Sequence, residues 1–105
     1  MVDRYPSGRI HRPPTHPGAI LREDTLPELG LSVTAFARGI HASRQSVHKI
    51  LAEKKGITPE MALKIGKFLG NGPTLWLKMQ QAYDLYRAER AIADELETID
   101  ACRGQ

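Results

Sequence analysis

From Ser32 onward the chain carries no acidic residue until Glu53, and inside that window lie Ser43, Arg44, Gln45, Ser46, His48 and Lys49. All six can donate hydrogen bonds or carry positive charge. Val47, Ile50 and Leu51 interrupt them at intervals of three and four, so the run reads as one helix with an apolar side and a donor side. A helix of that kind fits the major groove of a DNA duplex, where the side chains of its first turn meet base edges. The forked guanidinium of Arg44 matches the two acceptors of guanine, and the amide of Gln45 can both donate to and accept from adenine. Ser43, Ser46 and Lys49, together with Val33 and Thr34 at the start of the preceding helix, suit phosphates, which fix position without reading sequence. His48 lies on the same outward face.

Other chemistry is not assembled. The four histidines, His11, His16, His41 and His48, form no i, i+4 pair with a carboxylate in a metal-binding or catalytic arrangement. Gly70-Asn71-Gly72 lacks the preceding strand and following lysine of a phosphate-binding loop, and reads as a helix stop. With no nucleophile, base or metal cluster in view, the chain is not expected to be an enzyme, and neither a cofactor nor a metal is expected.

The elements that must carry the reading face are all helical. His16-Pro17-Gly18 opens the first helix, with proline in the first helical position, Ile20 and Leu21 inward, and an end near Pro27 before a turn at Gly30. Ser32 caps a short second helix whose Phe36, Ala37 and Ile40 share one face; Ser43 caps the third. The pair fits the helix-turn-helix pattern, with Ala37 where two helices cross closely. Thr58-Pro59-Glu60 starts a fourth helix that runs to about Leu69, with Met61, Ile65, Phe68 and Leu69 in one stripe. From Thr74 a fifth helix spreads apolar residues around too much of its circumference for a surface helix. Its second side is therefore expected to meet another chain, through Trp76, Met79, Tyr83 and Tyr86.

Length and charge set the frame. One hundred and five residues support one domain and one core. The net charge is +3, but residues 32–55 alone carry +4 and residues 89–105 carry −3, which suggests two surfaces with different partners. Residues 1–15, with three prolines and one glycine, read as a flexible arm whose Arg4, Arg9 and Arg12 suit a minor groove or a simple basic tail. Residues 16–90 form the domain with its C-terminal dimerisation helix, and residues 91–105 an acidic tail in which the last helix frays. The single cysteine, Cys102, the lack of an apolar run near 18 residues and the lack of a signal-peptide start lead to the expectation of a cytoplasmic protein with no membrane partner.

Four stretches carry a family resemblance: His16-Pro17-Gly18; Ser43-Arg44-Gln45 with Val47; Gly56-Ile57-Thr58-Pro59-Glu60-Met61-Ala62-Leu63; and Trp76-Leu77, Gln80 and Tyr83-Asp84-Leu85. With these the chain closely resembles the HigA-type antitoxins, addiction-module antidote proteins of the Cro/CI (lambda-repressor-like) helix-turn-helix family, over His16 to about Ala88. The resemblance implies an all-α, compact five-helix domain that dimerises through its C-terminal region and binds a palindromic operator in its own promoter as a repressor. It also implies a partner, a HigB-type toxin that cleaves messenger RNA on ribosomes. The residues themselves leave two alternatives open, a stand-alone regulator without a toxin and a protein-interaction module. One departure is His41, where the family turn often carries glycine.

Overall fold

The computed structural model describes residues 13–102. The chain enters through α1 (Pro17–Ile20), a single wide π-helical turn (Leu21–Thr25) and α2 (Leu26–Leu29), which run on as one rod. Four helices follow, α3 (Val33–Gly39), α4 (Arg44–Leu51), α5 (Pro59–Leu69) and α6 (Thr74–Ala91), and a short α7 (Ala93–Glu97) ends the described chain. With the rod counted as one, six helices and no strand form among the described residues.

Two boundaries differ from the sequence expectation. The first rod does not stop near Pro27 but continues through it to Leu29. The wide turn is the reason: the Leu26 N–H bonds back five residues to the Leu21 carbonyl, so the backbone is already expanded where the proline ring would otherwise strike the carbonyl four residues earlier. The acidic end does not simply fray either. Ile92 breaks α6 at φ −118°, and the next five residues resume as α7, with Asp94 and Glu95 in its first turn, where negative charge suits the helix dipole.

Side-chain caps fix the helix starts. Ser32 Oγ accepts from the Ala35 N–H, Ser43 Oγ from the Ser46 N–H and Thr58 Oγ1 from the Met61 N–H. His16 does the same for α1 with a ring: its Nδ1 accepts from the Gly18 N–H at 2.8 Å. The ends repeat one device. Gly30, His41 and Glu53 adopt left-handed φ values of 66°, 57° and 63°. Each is bracketed by the paired backbone bonds of a Schellman motif, such as Ala42 N–H to Ala37 O and Lys54 N–H to Lys49 O.

One core unites the rod with α3 to α6. Leu21, Phe36, Val47, Ile50, Ile65 and Trp76 are all 2% exposed or less. Removal of such surface from water is the main driving force for folding. The tightest approach joins α1 to α4: a Cβ on Gly18 would sit 1.9 Å from the Ile50 carbonyl oxygen, so only glycine allows the rod to lie against the end of α4. Gln80, buried in α6, accepts from the Ile57 N–H at 2.8 Å and donates to Asp84 at 3.0 Å, which satisfies a loop amide that would otherwise be orphaned in the core. No helix among the described residues is long and apolar enough to cross a membrane.

Candidate nucleic-acid interface

The reading face is built on α4. Its buried side, Val47, Ile50 and Leu51, is locked into the core, which leaves the opposite side no freedom to rotate inward. Ser43, Arg44, Gln45, His48 and Lys49 are exposed and Ser46 is half-buried. Thr34 is exposed at the first turn of α3, whereas Val33 is half-buried and packs against the core, so only its backbone is available to a phosphate. Arg38, Lys54 and Lys55 add exposed positive charge at the margins.

Three contacts fix this helix in place. At its N-terminal end the Arg44 guanidinium donates to Thr34 Oγ1 at 3.3 Å, so α3 supports the side chain that the sequence assigns to guanine. The turn between α3 and α4 depends on His41 in the left-handed region, and Lys64 of α5 donates to the His41 carbonyl at 3.3 Å. Here the histidine replaces the expected glycine without losing the turn, because an L-residue can occupy this region at a modest cost. At the C-terminal end, Arg22 of the rod donates to the Leu51 carbonyl at 2.6 Å and to Glu53 at 3.2 Å, while its other nitrogen meets Glu23 at 2.7 Å. These carboxylates raise the Arg22 pKa above its ordinary value.

Sequence reasoning missed the Arg22 link and the pairing of Arg44 with Thr34. The first bridges residues 31 positions apart, beyond any helical period. The one available signal was Glu53 itself, the sole acid in a basic segment.

The expected interface on α6 needs correction at Trp76. Its side chain is 1% exposed and its indole N–H donates to Asn71 at 3.1 Å, so it belongs to this domain's own core. Met79 packs against that core as well. Tyr83 meets the buried His16 ring edge-on at 4.7 Å, with Arg87 above it, and Tyr86 carries Arg90 at 4.5 Å over its ring. The exposed apolar positions of α6 instead include Leu75, Ala82 and Leu85, followed by Ile92 beyond its end. A tryptophan at helical spacing signals burial, but not which body buries it.

Pro13 and Pro14 line a groove of about 440 Å³ with Tyr83, Tyr86 and Glu53. The rest of the basic arm, with Arg4, Arg9 and Arg12, lies outside the described residues. His16 forms the groove's inner wall, and burial holds its pKa below the ordinary histidine value against the opposing pull of Glu53 and Asp84.

No family model matches the chain. It is 42% identical over 85 residues to virulence-associated protein I of Dichelobacter nodosus, a match spanning 81% of this chain and 79% of that protein. Antitoxin HigA of Pseudomonas aeruginosa, solved with the higBA promoter, superposes with a TM-score of 0.79 at 33% identity over 84% of this chain and 96% of that one. Antitoxin GraA, solved in complex with its operator, gives 0.77 at 39% identity over 86% and 90%. On the strength of these sequence and fold matches, the chain belongs to the HigA-type addiction-module antitoxins, a helix-turn-helix family.

Proposed function

We propose that this chain is an autoregulating, DNA-binding antitoxin of the five-helix Cro/CI class, which acts by occupancy in the cytoplasm and carries out no chemistry. The observation that carries the reading is α4 itself: a capped helix, locked by its apolar side, with Arg44 and Gln45 exposed in its first turn and no acid on the outward face. Arg44 reads guanine and Gln45 adenine; Ser43, Ser46, Lys49 and Thr34 hold phosphates, and His48 lies along the groove. Two copies pair through the outward face of α6, around Leu75, Ala82 and Leu85, and present their reading helices to half-sites about one helical turn, ~34 Å, apart.

Arg44→Ala is expected to weaken the promoter fragment far more than a scrambled duplex. Lys49→Ala is expected to weaken both alike and to reduce the slope of log affinity against log salt by about 1. Equal losses on the two duplexes for Arg44→Ala would remove its base-reading role. Neutralisation of a HigB-type, RNA-cleaving toxin is the second half of the proposal. Co-expression with the adjacent reading frame tests it, and a chain that regulates its promoter but captures no ribonuclease is a stand-alone regulator.

A further inference from the structure

Among the described residues, one side chain from another element hydrogen-bonds to the C-terminal end of the reading helix. Arg22 projects from the rod, donates through Nη1 to the Leu51 carbonyl at 2.6 Å, and reaches Glu53 Oε2 at 3.2 Å with the same nitrogen. Leu51 is the last residue of α4, so its carbonyl is one that the helix cannot satisfy from within. Glu53 is the left-handed residue that turns the chain out of α4 toward Lys54 and Lys55, and the only acid between Ser32 and Pro59. Gly18, one turn earlier in the rod, lies against the Ile50 carbonyl. Arg22 Nη2 is in turn oriented by Glu23 at 2.7 Å.

From this geometry we infer that Arg22 is a positioning residue for DNA reading: it sets the pitch of α4 against the rod and pairs with Glu53, the carboxylate set within the basic stretch between Ser32 and Pro59. The inference rests on the DNA-binding reading above. Arg22 need not touch nucleic acid. It acts through the Leu51 carbonyl and Glu53, so its loss changes the angle at which Arg44 and Gln45 meet base edges. It also leaves Glu53 as an unpaired negative charge near phosphates. Misdirection of that kind costs more where bases are read than where only phosphates are held, because base contacts depend on register and orientation.

The experiment compares wild type, Arg22→Met and Arg22→Lys on the promoter fragment and on a scrambled duplex of equal length, with the active fraction measured for each. A purely structural role lowers the active fraction and leaves the ratio of the two affinities unchanged. Arg22→Met is expected to lower that ratio about tenfold, the equivalent of one charge-assisted hydrogen bond. Arg22→Lys, which still donates to the carbonyl and the carboxylate, is expected to recover most of it. Glu53→Gly accepts the left-handed backbone without strain and should lower the ratio about threefold, which keeps the test open if Arg22→Met folds poorly. An unchanged ratio in Arg22→Met and Glu53→Gly, or no recovery with lysine, overturns the inference. Wild type without preference for the promoter would instead overturn the DNA-binding reading itself.

Discussion

Replacement of His16 offers the sharpest test of how the rod is anchored. The ring contributes in three ways: Nδ1 caps α1 through the Gly18 N–H, the ring edge packs on Tyr83, and its volume fills a site only 3% exposed. An N-cap is worth about 1 kcal/mol and an edge-on aromatic contact about 1 kcal/mol, with a further ~1 kcal/mol for the space left behind. His16→Ala should therefore lose about 3 kcal/mol, a fall in Tm on the order of 15 °C for a domain of this size. His16→Asn restores the cap and should lose less. The pH dependence separates the cap from the packing. Burial lowers the folded-state pKa of His16 below 6.5, so the unfolded chain takes up this proton first. The histidine's contribution is complete above pH of about 6.5 and falls as the pH drops below that value, at no more than about 1.4 kcal/mol per pH unit, until the folded pKa is reached. Protonation also converts Nδ1 from acceptor to donor, opposite a backbone N–H that needs an acceptor. Glu53 and Asp84 oppose the shift, while Arg22 and Arg87 reinforce it. Urea unfolding of wild type and His16→Asn between pH 8 and pH 5 should give curves that converge on the acid side. Parallel curves would refute the assignment of a neutral, hydrogen-bond-accepting ring.

Two further substitutions probe the scaffold. His41→Gly relieves a left-handed φ of 57° and should raise stability by about 0.5–1 kcal/mol after the entropy of glycine is subtracted, with operator affinity unchanged; chemical denaturation and a binding titration check both. Gln80→Leu keeps the volume but strips the Ile57 N–H of its acceptor, and should cost about 1–3 kcal/mol in the same denaturation assay, with slowed amide exchange at Ile57 lost.

Local signals carried much of the fold. Ser32, Ser43 and Thr58 cap the helices they were expected to cap, because an N-cap depends on a hydroxyl three residues from the amide it serves. Gly30 and Gly70 end helices in the left-handed region for an equally local reason. Pro27 misled because its effect is not local in the same sense. A proline stops an ordinary α-helix, but the wide turn at Leu21–Thr25 is a backbone adjustment with no residue signature of its own. The left-handed Glu53 was equally silent, since nothing in a glutamate announces positive φ.

The site divides along the same line. That Arg44, Gln45, His48 and Lys49 point outward follows from Val47, Ile50 and Leu51 pointing inward, because one helix fixes both. Their exposure could therefore be read without a structure. Periodicity states that a face is apolar, however, and is silent about which body covers it. On α6 the aromatic side around Trp76 and Tyr83 is claimed by Asn71, the core and His16, while the plainer Leu75, Ala82 and Leu85 remain outside. The largest side chains have the most surface to bury and are drawn into the domain's own core first. What stays exposed along α6 is the smaller apolar residues, so the apolar circumference of this helix told how much surface would be buried but not that the plainer side would be the one left open.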